Sequence, residues 1–143
     1  MSFAPPVRAA CARHTDSDIA ALERNIEEVE RLFEAGPLVE KTLKNIEFHN
    51  LLADATKNPT LVLLMKSLTD MATYFAKNIG PDPASTTVRS RRLFMKAFVA
   101  RDAEAAVQEM EASLLRLHTV HVNLATKKGA KATPAAPITM PSP

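Results

Sequence analysis

Helix-breaking residues divide this chain into stretches whose apolar residues recur at helical spacing. The breakers are Pro5-Pro6, Gly36-Pro37, Asn58-Pro59, Gly80-Pro81-Asp82-Pro83 and Gly129. Between them, apolar side chains recur every three or four residues, which places them on one face of an α-helix. No stretch is a strand candidate, and three glycines in 143 residues are too few for the hairpins of an all-β fold. The pattern predicts an all-α fold, an antiparallel bundle of five to six helices.

The predicted helices belong to one domain, residues 15–127. They cover 15–35, 37–57, 59–78, a stretch that carries Val88 to Phe98, and 103–127, with a corner at Arg101-Asp102. Thr15 is the expected cap of the first helix, because its side chain can accept hydrogen bonds from the free N–H groups there. The helix over 59–78 is the most apolar, and we expect it to be the most buried.

Two terminal segments are expected to lie outside this domain. Pro5 and Pro6 are interpreted as helix breakers, so 1–14 is predicted to be a short N-terminal segment. Residues 128–143 consist mainly of Ala, Pro, Thr and Lys. Such a tail buries too little apolar surface to offset the entropy of ordering it, and we expect it to be disordered.

Composition excludes several classes of protein. The longest apolar run, Leu61–Met65, is far too short to span a bilayer, and the N-terminus lacks the apolar core of a secretion signal. The single cysteine, Cys11, is typical of a reducing compartment, so we expect a cytoplasmic protein with no membrane partner. A net charge of +2 predicts no nucleic-acid partner. Because phosphate-loop, nucleophile-elbow and zinc-protease motifs are all missing, we expect no enzyme.

Four polar residues occupy helical positions at which an apolar residue is expected. They are Asn45, His49, Arg91 and Ser113, on three of the predicted helices. Each continues a stripe of apolar side chains at three- or four-residue steps, so the four are predicted to converge inside the bundle. Buried polar groups need partners, or each costs several kcal/mol. A bound small molecule is one such partner.

Each of these residues also has a purely structural interpretation. His49 can lie at the edge of the core and bond a backbone carbonyl, while Asn45 and Ser113 are small enough to be satisfied by one hydrogen bond. Arg91 can extend along its methylene stem to water. The other histidines, His14, His118 and His121, show no partner pattern, and His118 and His121 are interpreted as surface residues.

Three segments, in order along the chain, carry the motifs of a known family. The first runs from Ala9 to Leu22; the second, Asn45 to Leu61, contains Asn-x-x-Phe-His and Asn-Pro-x-Leu; the third, Arg91 to Leu114, contains Ala-Phe, Arg-Asp and Ser-Leu. They resemble the FCD domain, the C-terminal effector-binding module of the FadR subfamily of GntR-type transcription regulators. The resemblance covers residues 8–122. It implies a helical bundle that binds a small carboxylate effector.

The resemblance also implies a metal position. In that family an Asp and three His hold a divalent metal, and the corresponding positions here are Asn45, His49, Arg91 and Ser113. Only His49 retains a family ligand, and an arginine does not ligate metals. We therefore expect no metal and no other cofactor.

In place of the metal, Arg91 offers a permanent cation that can hold a carboxylate through two parallel hydrogen bonds. His49, Asn45 and Ser113 would supply neutral hydrogen bonds to the same small organic acid. The alternative is that the site has decayed and that Arg91 points to solvent.

Members of that family carry a winged-helix DNA-binding domain ahead of this module. Fourteen residues precede Thr15 in this sequence, so the resemblance implies a truncated regulator with no direct DNA contact. Its expected partners are a small carboxylate effector and either a second copy or a full-length relative. The alternative function is a ligand-free helical interaction or dimerisation protein of the same shape.

Overall fold

The structure, a computed structural model, describes residues 4–78 and 87–115. Six α-helices and no strand are found among these residues. The helices are α1 (Ala4–Arg13), α2 (Asp16–Ala35), α3 (Leu38–Ala55), α4 (Pro59–Asn78), α5 (Thr87–Val99) and α6 (103–115). The predicted all-α helical bundle is confirmed, and the predicted helices over 15–35, 37–57 and 59–78 match to within two residues at each end. The predicted tail, 128–143, lies outside the described residues.

A helix precedes the first predicted one, so the interpretation of Pro5 and Pro6 as a break is wrong. Both prolines lie in the first turn of α1. There their fixed φ suits a helix, and the N–H groups that they lack would have had no intrahelical partner. Val7, Ala10 and Cys11 of α1 are buried in the same core as the other helices. Residues 4–13 are therefore part of the bundle.

The core lies where α1, α2, α3, α5 and α6 meet. Its largest fully buried side chains are Phe48, Phe94, Phe98, Leu22, Ile26 and Met110. The ring of Phe94 stacks on Phe98 with centroids 5.3 Å apart and meets Phe48 edge-on at 5.9 Å, two arrangements that favour aromatic pairs. This aromatic cluster joins α3 to α5.

Short polar connections fix the ends of the helices. The Thr15 side chain accepts a hydrogen bond from the N–H of Asp18, and the Asp18 carboxylate accepts one from the N–H of Thr15. This reciprocal cap confirms the role predicted for Thr15. At the corner between α5 and α6, the Arg101 guanidinium donates to the carbonyls of Cys11, Ala12 and His14. The corner therefore holds the end of α1 in place.

The prediction that the helix over 59–78 is the most buried is wrong. In α4 only Met65, Thr69 and Ala76 are buried. Its exposed large apolar side chains are Leu63, Leu64, Leu68, Met71, Tyr74 and Phe75. The reason is that α4 packs mainly against α3, so the described residues cover one side of a helix that is apolar on two sides. None of the described helices is long and apolar enough to cross a membrane.

Candidate functional site

The side chain of Arg91 lies inside the bundle. It is 7% exposed, and its Cζ lies 4.1 Å from the centroid of the Phe48 ring. Its Nη2 lies 3.4 Å from Nε2 of His49. The interpretation in which Arg91 extends to water is therefore wrong. Two of the four predicted site residues, on α3 and α5, meet here.

Helical periodicity explains why Arg91 faces inward. It lies three residues before Phe94 and four before Met95, both buried, and so belongs to the inner stripe of α5. The next residue, Arg92, lies on another side of the helix and donates to Glu23 and Glu30 of α2 at 2.8 and 2.9 Å. The two adjacent arginines thus have opposite environments. Arg91 is buried and has no carboxylate partner among the described residues, whereas Arg92 lies at the surface and pairs with two carboxylates.

Arg91 has no counter-ion in the described part of the chain. No carboxylate there lies within ion-pair distance of it, and its Nε is buried without a hydrogen-bond acceptor. Burial lowers the pKa of Arg91 to about 10, so the guanidinium stays charged at neutral pH. Burial of an unpaired charge costs several kcal/mol, whereas a cation–π contact with a ring such as Phe48 returns only about 0.5–2 kcal/mol. The arrangement leaves a positive charge that an anion would neutralise.

His49 is neutral beside this cation. Burial first, and then the positive charge of Arg91, lower the pKa of His49 to about 3. The neutral ring accepts the Arg91 hydrogen bond at Nε2, which assigns its proton to Nδ1. His49 therefore orients the guanidinium, and its Nδ1–H is a neutral donor.

Asn45 and Ser113 are half-buried, and neither side chain makes a hydrogen bond to a described residue. Asn45 lies one helical turn before His49 on α3, and Ser113 lies three residues after the buried Met110 on α6. No hydrogen bond among the described residues joins either of them to Arg91 or His49. Their part in a site stays a prediction.

Sequence reasoning missed the ring beneath Arg91. Phe48 fits the apolar stripe of α3 and belongs to the Asn-x-x-Phe-His motif, and neither pattern predicts a contact with Arg91. Its contact with Arg91 joins residues 43 positions apart, and no local pattern identifies such a pair. The available signal was that Phe48 immediately precedes a polar residue of the inner face, His49.

His14, for which the sequence shows no partner pattern, has partners in the structure. His14 is buried, its Nε2 lies 2.9 Å from the carbonyl oxygen of Phe98, and its ring lies 4.5 Å from the Phe98 ring. These contacts give it a structural role between α1 and α5. The remaining two histidines, His118 and His121, lie outside the described residues.

A groove elsewhere on the bundle carries no comparable unpaired group. It has a volume of about 370 Å³ and lies between α2 and α3. Lys44, which lines it, is paired with Glu28 and Glu47 at 2.7 and 2.8 Å. The pair formed by the buried Arg91 and the half-buried His49 is therefore the better candidate for a binding site.

The family model of the FCD domain matches residues 6–116, which include all but the first two residues of α1, the aromatic cluster and all four predicted site residues. The chain belongs to the FCD family. FCD domains are regulatory effector-binding domains of GntR-type regulators and are not a catalytic family. No curated protein and no solved structure matches the chain.

The residues at the metal positions of the FCD family do not fit a divalent metal in this chain. Nε2 of His49 accepts a hydrogen bond from Arg91, so the lone pair that would ligate a metal is already engaged. The guanidinium also places a positive charge where the metal would be held. In the described part of the chain, no three His, Cys, Asp or Glu side chains are grouped to hold a metal ion.

Proposed function

We propose that this FCD domain binds a small organic acid directly through Arg91, without a metal, and acts as the effector-binding domain of a cytoplasmic regulator of the GntR/FadR type. The observation that supports this function is a buried cation, Arg91, that has no counter-ion among the described residues. A carboxylate supplies one negative charge and two acceptor oxygens, which match the parallel N–H groups of a guanidinium. The Nε–H of Arg91, buried without an acceptor, would be one of the two donors.

The charge of the site favours an acid with one carboxylate. Arg91 contributes one positive charge and His49 contributes none, because its pKa is about 3. A second carboxylate would enter the interior with no cation to pair with, at a cost of several kcal/mol. The Nδ1–H of His49 and the side chains of Asn45 and Ser113 would hydrogen-bond neutral groups of the same ligand.

Thermal unfolding of the full chain tests this function. Small monocarboxylates and dicarboxylates are added in turn, each with and without EDTA, and Zn²⁺ and Ni²⁺ are added alone. A ligand at 100 times its dissociation constant adds about 2.7 kcal/mol of stability. For a domain of this size that raises Tm by roughly 5–11 °C. We expect such a shift with a monocarboxylate and no change in that shift with EDTA.

Two adjacent variants make the test specific for Arg91. Arg91→Met removes the cation and keeps most of the side-chain volume, so we expect the ligand shift to disappear. Arg92→Met removes the same charge from the surface, so the shift should persist. A shift that needs Zn²⁺ or Ni²⁺, or one that is equal in Arg91→Met, contradicts the proposal.

The exposed apolar side of α4 favours the second candidate, a ligand-free interaction protein with the FCD fold. On that hypothesis no acid changes the unfolding temperature, although the protein still melts cooperatively. Arg91→Met would then change stability alone and leave every binding property of the protein as it was.

A further inference from the structure

The groove between α2 and α3 combines apolar and acidic side chains. Leu32 of α2 and Leu43 of α3 line it, and so do three carboxylates, those of Glu28, Glu40 and Glu47. The two leucines are half-buried, so each still presents apolar surface to a molecule that enters. We call this site the α2–α3 groove.

The acidic side chains of the α2–α3 groove outnumber its basic ones. Lys44 pairs with Glu28 at 2.7 Å and with Glu47 at 2.8 Å, so one cation is shared between two carboxylates. Glu40 is exposed and forms no ion pair with a described residue. Arg31 is the other cation that lines the groove, which leaves one negative charge in excess. The groove therefore attracts a further cation.

Lysine is the residue whose side chain matches both properties of the α2–α3 groove. Its methylene stem packs on apolar surface such as that of Leu32 and Leu43, while its ammonium group stays at the edge. There it can pair with Glu40 or with Glu47, which shares its present partner. A short segment that contains several lysines is the expected occupant.

Such a segment follows the described residues in the same chain. All sixteen acidic residues of the protein lie between Asp16 and Glu111. Residues 116–143 contain no acidic residue and four basic ones: Arg116, Lys127, Lys128 and Lys131. We call residues 127–131, which hold three of these four, the lysine segment. Its charge is the one that the α2–α3 groove lacks.

The described chain ends at the same end of the bundle as the α2–α3 groove. After the corner at Arg101-Asp102, α6 runs back along α5, and the Ser90 hydroxyl in the first turn of α5 donates to Glu109 of α6 at 3.0 Å. Two residues after Ser90, Arg92 donates to Glu30 of α2 at 2.9 Å. Glu30 belongs to the half of α2 that forms the groove. The chain therefore continues beyond α6 from the end of the bundle at which the groove lies.

The intervening residues, 116–126, have a length suited to this contact. Eleven residues span about 17 Å as an α-helix and about 18 Å as a random coil. Since a helix with its side chains is about 10–12 Å in diameter, either span passes across one neighbouring helix. A connection this short gives an effective concentration on the order of 1 mM, so a few weak ion pairs are enough to hold the contact.

We propose that the lysine segment binds in the α2–α3 groove of its own chain, with ammonium groups on Glu40 and Glu47 and methylene stems on Leu32 and Leu43. A basic segment of another protein would reach the groove only by displacing it. The contact does not depend on the acid site, because neither Arg91 nor His49 lines the groove.

Zero-length cross-linking of the full chain tests the proposal. A carbodiimide joins a lysine to a carboxylate only where the two are in contact, and mass spectrometry of the digested protein identifies each pair. We expect a lysine of the segment to be joined to Glu40 or Glu47. The ion pair of Lys57 with Asp18, at 2.6 Å, is the internal positive control.

A matched pair of variants shows whether the groove itself holds the segment. Glu40→Gln combined with Glu47→Gln removes two carboxylates of the groove, and we expect the equilibrium constant for docking to fall about two- to twentyfold. The amide NMR signals of residues 127–131 should then move toward their positions in 1 M salt, where the ion pairs are screened. Glu27→Gln removes an exposed carboxylate of α2 outside the groove and should leave these signals unchanged. Unfolding curves verify that all variants fold.

Three results would overturn the proposal. The first is a chain in which Lys57 is joined to Asp18 but no lysine of the segment is joined to the groove. The second is an equal movement of the segment's signals in Glu27→Gln, since the acidic surface in general would then attract the lysines. The third comes from a mixture of ¹⁴N- and ¹⁵N-labelled protein: cross-links between labelled and unlabelled chains would place the segment in the groove of another copy.

Discussion

Folded proteins usually bury apolar side chains and expose charged ones, and two regions of this protein depart from that rule in opposite ways. The interior buries the charged Arg91, and the outer side of α4 exposes large apolar side chains. The interior encloses a cation that is 7% exposed and has no carboxylate partner in the described residues. The outer side of α4 exposes Leu64, Met71 and Phe75. The isolated chain loses stability at both places, through desolvation of a charge in one and through hydration of apolar surface in the other. The comparison shows that different partners would stabilise the two places: an anion in the interior and an apolar surface on the outer side of α4.

Truncation of one phenylalanine in each region should give the largest difference. Phe98 is fully buried in the aromatic cluster, whereas Phe75 on the outer side of α4 is 47% exposed. We expect Phe98→Ala to lower the free energy of unfolding by about 3–5 kcal/mol, because it leaves a cavity. Phe75→Ala should cost less than about 1 kcal/mol in the monomer.

Chemical denaturation of both variants measures this difference. The measurements are repeated at several protein concentrations, because a contribution from association would change with concentration. Equal losses for Phe75 and Phe98 would show that the outer side of α4 is covered within one chain.

Acid should destabilise the interior through His49. The pKa of His49 is about 3 in the folded protein and about 6.5 in the unfolded chain. The unfolded chain therefore binds one more proton between these values, so stability is complete above pH 6.5 and is lost as the pH falls. For one proton, the free energy of unfolding falls by about 1.4 kcal/mol for each pH unit within this range.

The effect of His49 is separable from that of the surface carboxylates. Hydrogen bonds from Lys44 and Arg92 lower the pKa of Glu28 and Glu30, so these groups weaken stability only in stronger acid. Between pH 6.5 and 5, the free energy of unfolding of His49→Gln should therefore change less with pH than that of the wild type. If the free energy of unfolding falls equally steeply with pH in His49→Gln and in the wild type, His49 is not held as a neutral ring in the folded protein.

The two adjacent arginines should have opposite effects on stability without ligand. Arg91→Met replaces a buried unpaired charge by an apolar chain of similar length, and we expect the free energy of unfolding to rise by about 1–3 kcal/mol. Arg92→Met removes ion pairs with Glu23 and Glu30 at the surface and should cost no more than about 1 kcal/mol. Denaturant midpoints at neutral pH compare the two. A loss of stability in Arg91→Met would indicate that the cation already has a partner within the chain.

Sequence periodicity located part of the candidate site. It identified Arg91 and His49 as polar members of inward stripes, because residues three and four apart share one face of a helix. It gave no indication that Phe48 would lie beneath the guanidinium or that carboxylates would be distant from it. Those contacts join α3 to α5, and the distance between two helices follows from how their side chains pack.

The sequence by itself determined the bounds of α2, α3 and α4 to within two residues, the cap at Thr15 and the corner at Arg101-Asp102, because these follow from local steric and hydrogen-bonding preferences. Only the tertiary structure decided which apolar stripe of α4 would be covered and whether Pro5 and Pro6 would begin a helix. The reason is that periodicity shows which residues share a face, whereas burial depends on which other helix reaches that face. The absence of a counter-ion for Arg91 among the described residues was decided in the same way, by residues distant in the sequence.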